Sequence, residues 1–441
     1  MVRAICLALI LCVAGLAEPE SKLAKSTPAA SSLSTPESKP QKHKLYARSN
    51  SLRLLMAGDA LLHTPVFKDA QKVDSSTGAI TYDFAKMFAP IAPLIARYDL
   101  AFYNQETILG GTQLGLSSYP SFNSPQEFGD TMLSLGFNLI SLANNHTLDK
   151  GERGVRAMLA YWHTKEAESI ARAMPIAIAG SYASQEDRDK PRIYEKNGIT
   201  YALLAYTYGT NGIPIPKGKD YLVNVYTKEM LVRDIKALRE KVDLLLVSMH
   251  WGIEYDFTPS KQQREFAALL ASLGVDIVIG NHPHVIQPIE KIGSTLVIYS
   301  HGNLISAQKG INKRVGMLSS ARITLLNEKQ RATLARHITA KHAESSQKLA
   351  PPTHTHLEST LDSGVGEPQN ALENALASAT QPHKPFIPKV RIDDVRAELI
   401  YTYYDSSMSN FAVYPLKKAT KLLPNAKQIY KDYAKKLQPK P

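Results

Sequence analysis

The sequence predicts an α/β protein built from layered sheets. Two observations carry this. Apolar runs of strand length, rich in Val, Ile and Leu, alternate with helical stretches along most of the chain, as in sheets covered on both faces. The polar residues able to bind metal fall directly after those runs. They sit at the carboxyl ends of the expected strands, where open α/β sheets take their ligands.

The chain opens with MVRAICLALILCVAGLA (1–17), which has the build of a secretory signal peptide. Arg3 supplies the positive start, residues 4–13 the apolar core, and Gly15 and Ala17 the small residues of a cleavage site. Left uncleaved, the same stretch would be a membrane anchor. Both cysteines, Cys6 and Cys12, lie inside it. The exported chain would therefore have no disulfide and no thiolate site, and any metal must be held by His, Asp, Glu and Asn. Residues 18–47 are rich in Ser, Pro, Lys, Ala and Thr and read as a disordered linker.

Residues 48–415 read as one folded domain. Its first strand runs from Leu52 to Ala57 and ends at Gly58 and Asp59. Further strands are expected at 99–103, 137–142, 174–179, 199–206, 243–249, 275–279 and 295–299. Ser124, Pro125 and Glu127 read as N-cap, first helical residue and capping-box partner of a helix that stops at Gly136. Residues 228–241 form a charged amphipathic helix, and Thr258-Pro259 opens another that runs to Gly274. From 341 to 388 Ser, Pro, Thr, Gln and Ala dominate without periodicity, the mark of a low-complexity insert. A His pair there, His354 and His356, is not expected to matter. Strands at 389–415 are expected to pair with 316–326 across the insert. Residues 416–441 form a basic C-terminal tail, helical to about Leu437.

The stretch VIGNHPHVIQPIE (278–290) centres the functional reading. In an extended segment residues i and i+2 point the same way. His282 and His284 are therefore expected to face one point past the strand end, with Gly280 and Pro283 supplying the turn. Asp59, Glu106, the run Asn144, Asn145 and His146, and His250 each follow another expected strand. Imidazole, carboxylate and amide oxygen suit two borderline divalent ions, Mn, Zn or Fe, better than Ca. Such a pair can activate water beside a phosphoryl or acyl centre.

Five motifs in this order, Gly58-Asp59, NQET (104–107), ANNHTLD (143–149), HWGIEY (250–255) and GNHPHV (280–285), resemble the capsule-biosynthesis CapA family, also called the poly-γ-glutamate synthesis family. YSHGN (299–303) looks like that family's last motif. The family is similar to the calcineurin-like metallophosphoesterases. The resemblance therefore implies a four-layer α/β/β/α sandwich of the metallophosphatase type. It makes Asp59 a ligand of the first metal, Glu106 the bridge, and Asn145, His250 and His282 ligands of the second. His284 would complete the first, and His146 would be a general acid at the leaving group. The phosphoesterases have a histidine two residues after the first Asp; here that position is Leu61, and His63 is the candidate substitute. Glu254 and Tyr255 are candidate substrate contacts. Asn303 would orient the ligands or the substrate, and Trp251 and Asp149 have structural readings.

The formal net charge is +12, which favours polyanionic partners. With export, the expected partner is an anionic envelope polymer or a phosphoester substrate rather than nucleic acid, with capsule-synthesis membrane proteins as companions. The expectation is a protein of the periplasm or cell surface acting in capsule or poly-γ-glutamate-like polymer synthesis through a dinuclear hydrolase site. The alternatives are a periplasmic phosphatase or phosphodiesterase, and a non-enzymatic scaffold of a polymer synthase.

Overall fold

The computed structural model describes residues 50–348 and 386–438. The expected signal peptide and linker, and most of the insert with His354 and His356, lie outside the described residues. In chain order the elements are β1 (Ser51–Leu61), α1 (Thr64–Ala70), β2 (Gln71–Val73), β3 (Ile80–Tyr82), α2 (Ala85–Phe88), α3 (Ala92–Ile95), β4 (Leu100–Gln105), α4 (Glu127–Leu135), β5 (Leu139–Ser141), α5 (Gly151–Ala171), β6 (Ala177–Ala179), α6 (Gln185–Asp189), β7 (Tyr194–Lys196) and β8 (Ile199–Thr207). They continue with α7 (Lys228–Arg239), β9 (Leu244–His250), α8 (Lys261–Ser272), β10 (Ile277–Asn281), β11 (Ile289–Ile292), β12 (Thr295–Ile298), β13 (Asn303–Ser306), α9 (Ile311–Arg314), β14 (Val315–Leu325), α10 (Glu328–Lys348), β15 (Val390–Tyr403), β16 (Ala412–Pro415) and α11 (Ala426–Lys436).

One sheet has the order β16-β15-β14-β1-β4-β5-β6, with β13 pairing β1 off that path, and the second has the order β11-β12-β10-β9-β8-β7. Side chains alternate across a sheet with period two, and the core divides accordingly. Tyr201, Leu203, Ala205, Leu244, Leu246, Ile277 and Ile279 join a large cluster shared with the first sheet. The intervening Ala202, Leu204, Tyr206, Leu245, Val247 and Val278 pack instead on Leu231 and Ile235 of α7 and Ala267 and Leu270 of α8. On the first sheet, α4 and α5 bury Phe128, Met132, Val155, Met158 and Trp162, and Tyr103 of β4 meets Phe128 at 6.4 Å between ring centres. The result is the expected α/β/β/α sandwich.

Strand β1 changes partner along its length. Ser51–Met56 runs antiparallel to β14, and Asp59–Leu61 runs parallel to β13. The change falls at Gly58, where a Cβ would lie 1.8 Å from the carbonyl oxygen of Gly302, so a side chain is excluded. This sets Asp59 in register with Asn104 of β4 on one side and Asn303 of β13 on the other.

Every expected strand is present, and β15 pairs β14 across the insert. The helix starts differ. Ser124 is not a cap: its hydroxyl donates to Thr107 Oγ1, and α4 begins at Glu127 before closing at Gly136 with φ 104°. The capping box belongs to α8, where Ser260 and Gln263 bond reciprocally. Helix α10 continues to Lys348, into the span expected to be insert; its Glu, Lys, Gln, Arg and Ala are good helix formers even without an apolar stripe. The basic C-terminal segment is docked, with Leu416, Ala419, Ala426 and Tyr433 buried in the large cluster. Among the described residues no helix is long and apolar enough to cross a membrane.

Candidate metal centre

The carboxyl ends of β1 and β4 in the first sheet and of β9 and β10 in the second converge. They bring together two groups of ligand-type side chains, Asp59 with Glu106 and His284, and Glu106 with His250 and His282. Glu106 belongs to both. Its Oε1 lies 3.6 Å from His284 Nε2 and 3.7 Å from His250 Nε2. Asp59 Oδ2 lies 3.4 Å from His284 Nδ1 and accepts from the backbone N–H of His282 at 3.1 Å. Asn145 Oδ1 lies 2.8 Å from His250 Nε2, so it faces the same point as the second group.

These side chains fit divalent metal on physical grounds. Glu106 is fully buried, and neither carboxylate oxygen has a hydrogen-bond partner; His282 Nδ1 is equally unpartnered. Among the described residues the only ion-pair partners of Asp59 and Glu106 are histidines. An unpaired buried carboxylate is costly, and a cation at its oxygens offsets that cost. Burial pushes the Glu106 carboxyl well above its usual range against the pull of His284. Burial drives His250 well below the ordinary imidazole value and His282 down to about 3, which keeps both in the neutral form that ligates metal. For His284 burial also acts downward, but Glu106 and Asp59 outweigh it and push it up to about 9.

A surrounding set of polar residues aims the ligands. Asn104 Nδ2 donates to Asp59 Oδ1 at 2.8 Å and stands 3.3 Å from His250 Nδ1. Asn303 Oδ1 accepts from His284 Nδ1 at 3.0 Å, while its amide group donates to Gln308 Oε1 and the Lys313 carbonyl. Asn303 is fully buried; it orients His284 and has no atom left for substrate. Asn145 Nδ2 donates to Asn211 Oδ1 at 3.1 Å, which turns the amide oxygen of Asn145 inward.

His146 stands beside the ligands. Its Nδ1–H donates to Asp149 Oδ2 at 2.8 Å, and its ring meets the edge of Phe122 at 4.7 Å. Asp149 also accepts from the Phe122 backbone N–H. This fixes the imidazole with Nε2 as its reactive edge.

Several expectations need correction. His63 joins neither group. It precedes α1 at the cap position, its Nδ1 lies 3.2 Å from the Leu61 carbonyl, and its ring packs on Phe122 at 5.2 Å. His282 and His284 do not share a face through extended geometry. Both have left-handed backbones, φ 97° and 56°, uncommon outside glycine, and they serve different groups. Gly280 makes no turn; a Cβ there would meet the Tyr299 carbonyl oxygen at 1.9 Å, so it permits close approach of the backbones. Trp251 is fully buried, donating to the Tyr299 carbonyl.

The rim is aromatic and charged. Tyr255, with φ 67°, lies 6.1 Å from the His284 ring, with the Lys313 ammonium 4.5 Å above it. Glu254 Oε1 is 4.0 Å from His284 Nε2. The sequence reading missed Tyr208, whose ring lies 4.7 Å from His282 and parallel to His250. It follows the last residue of β8, so the strand-end rule applied to 199–206 would have found it. Asn211 carried no sequence signal.

Comparison with known proteins places these features. The family described as bacterial capsule synthesis protein PGA_cap matches residues 53–308. The chain is 31% identical over 176 residues to the PGA biosynthesis protein CapA of Bacillus subtilis (strain 168), covering 40% of this chain and 44% of that one. It is 29% identical over 177 residues to the capsule biosynthesis protein CapA of Bacillus anthracis, covering 39% and 41%. The matched stretch thus spans less than half the length of these relatives. A crystal structure from Staphylococcus aureus, provisionally described as a 5'-nucleotidase, is similar at a TM-score of 0.34 and 13% identity, over 63% of this chain and 51% of that one. A likeness that distant carries no argument about activity.

Proposed function

Since the chain belongs to the bacterial capsule synthesis protein family PGA_cap, we propose that it is an exported protein that cleaves or transfers an acyl bond of a poly-γ-glutamate-like envelope polymer at a dinuclear metal centre. The observation that supports this best is Glu106: a fully buried carboxylate with two unpartnered oxygens, shared by two ligand groups.

Asp59, Glu106 and His284 would hold one ion, and Glu106, Asn145, His250 and His282 the other. Two bound divalent ions supply Lewis-acid stabilisation of charge at a scissile acyl or phosphoryl group. The chain's own residues do the rest. His146 donates a proton from Nε2 to the departing group, while Asp149 holds Nδ1 and stabilises the charged imidazole. Asn211 and Asn303 hold Asn145 and His284 in their orientations. Tyr208 and Tyr255, both exposed, flank the opening and offer ring faces and hydroxyls to the substrate, and water reaches the reacting bond between them as the nucleophile of cleavage.

The test is turnover of γ-linked glutamate oligomers against nitrophenyl phosphate mono- and diesters by the purified chain loaded with Mn, Zn or Fe. Metal-dependent cleavage or transfer of the oligomer, lost in Glu106→Gln, supports the reading. Turnover of the phosphate esters alone would replace it with a phosphatase or phosphodiesterase. Turnover of neither with metal bound would make the protein a scaffold of polymer assembly.

A further inference from the structure

The C-terminal segment from Leu416 to Gln438 carries seven lysines, Lys417, Lys418, Lys421, Lys427, Lys431, Lys435 and Lys436, against one acid, Asp432. All seven are exposed. Within α11, Lys427, Lys431 and Lys435 recur every fourth residue. They therefore share one side of the helix, roughly 6 Å apart along its axis. Like charges at this spacing disfavour a helix. The nearest counter-charge is weak: the Asp432 carboxylate is 3.9 Å from the Lys435 ammonium and also accepts from Gln428. The helix keeps a row of cations that its own stability does not call for.

The rest of α11 is already used. Ala426 and Tyr433 are buried, and Ile429, Tyr430 and Leu437 pack on the large core. The Leu437 carbonyl accepts from the backbone N–H of Ile289 at 2.9 Å. No apolar side is left for insertion into lipid, so the lysine row is what the helix offers to solvent. Its C-terminal end packs on Phe257 and Ile289, which lie two residues past Tyr255 and five past His284 in the chain. The Lys436 ammonium lies 4.0 Å over the Phe257 ring, and Phe257 is two residues past Tyr255, whose ring faces His284. Lys435 and Lys436 line a cleft there with Phe257, Pro259, Arg264 and Pro288.

We propose that the lysine row of α11 and the cleft at its end are a docking track for a polycarboxylate chain, which they hold beside the metal centre. The surface stands on the structure alone; the choice of a polycarboxylate as occupant rests on the polymer reading above. Repeating carboxylates on a flexible chain can meet successive ammonium groups, and each contact releases counter-ions, so binding should fall steeply with salt.

The test uses the full chain and fluorescently labelled poly-γ-glutamate, with binding read by anisotropy across a salt series. The variant Lys427→Gln/Lys431→Gln/Lys435→Gln is compared with a charge-matched control on and beyond α7, Lys228→Gln/Lys236→Gln/Lys241→Gln, whose residues are also exposed. The track variant should bind roughly tenfold or more weakly, and its log–log salt slope should drop by about 2, as expected for three lost ionic contacts. The control should stay within about twofold of the parent, and metal content should be unchanged in both. Equal losses in both variants would overturn the track in favour of a net-charge effect, and so would failure of the parent chain to bind the polymer at low salt. Tighter binding of anionic vesicles or of DNA to the same lysines would overturn the polycarboxylate. Polymer binding without turnover would leave the track intact and count only against the reading of the centre.

Discussion

Glu106→Gln tests the centre most directly, because the two states of the protein should respond in opposite directions. The carboxylate is fully buried, with both oxygens unpartnered and histidine nitrogens at 3.6 and 3.7 Å. In the metal-free protein, keeping it ionised costs several kcal/mol of desolvation, of which the nearby imidazoles return part. The amide of Gln has nearly the same shape, and leaving it unpaired costs about 1–3 kcal/mol. Metal-free Glu106→Gln should therefore be as stable as the parent or slightly more so. With metal the order reverses. A ligand at a hundred times its dissociation constant stabilises by about 2.7 kcal/mol. The parent should gain about that much for each ion, and the variant should gain almost nothing, since Glu106 serves both groups. Calorimetric melts of chelated and metal-loaded protein, with metal counted by mass spectrometry, read both halves. A chelated variant that melts well below the chelated parent would mean that Glu106 has a structural partner. A variant that keeps two ions would mean that the carboxylate is not their bridge. Either result refutes the assignment.

Further outcomes follow from the same geometry. Replacing His250 or His282 with Ala should weaken the second ion by at least roughly 10–100-fold, the loss typical of supporting residues, whereas His63→Ala should leave metal content unchanged; equilibrium dialysis separates these, and metal loss in the His63 variant would restore it as a ligand. His146→Asn should retain both ions and lose roughly 10²–10⁴ in rate on substrates with poor leaving groups, with far less effect on esters of acidic phenols. Loss of metal would make His146 a ligand, and equal losses across leaving groups would make it a positioning residue. His301 is buried, with Nε2 2.7 Å from Ser319 Oγ, and burial holds it down to about 4. The unfolded chain takes up that proton first as pH falls, so this contribution is complete above pH ~6.5 and is lost as pH falls toward 4, by roughly 3 kcal/mol in all. Urea melts of His301→Gln should show a shallower acid decline than the parent; parallel declines would rule His301 out as the source.

The sequence exposed the strands and most ligands because both leave local marks. Runs such as LLLVSM before His250 are apolar at every position but Ser248, and a strand buried on both faces needs such a run whatever its neighbours are. Asp59, Glu106, Asn145 and His250 then declare themselves by following such runs. What stayed hidden depends on contacts between distant segments. Asn211 matters through Asn145, 66 residues away, and nothing around it in the chain announces that. His63 stood only as the candidate substitute for the histidine missing at Leu61; in the fold its ring packs on Phe122 and it joins neither group. The positive φ of His282 and His284 is a property of the folded backbone that no side-chain pattern in the sequence encodes. The docking of α11 was missed because lysine dominates its composition, while a few apolar residues, Ala426, Ile429, Tyr430 and Tyr433, decide its place.

The two ligand groups draw on both sheets, Asp59, Glu106 and Asn145 from one and His250, His282 and His284 from the other. Asp59 and His284 are separated by most of the folded sequence. An unfolded chain therefore offers at most the local pair His282 and His284, and either full group is assembled only once the two halves of the sandwich have closed on each other. Affinity alone would favour copper or zinc over manganese at nitrogen and oxygen ligands. The moment of closure would count as well: an ion bound here would come from the surroundings in which the chain finishes folding, and on the proposed export, with folding after the crossing, from the far side of the membrane.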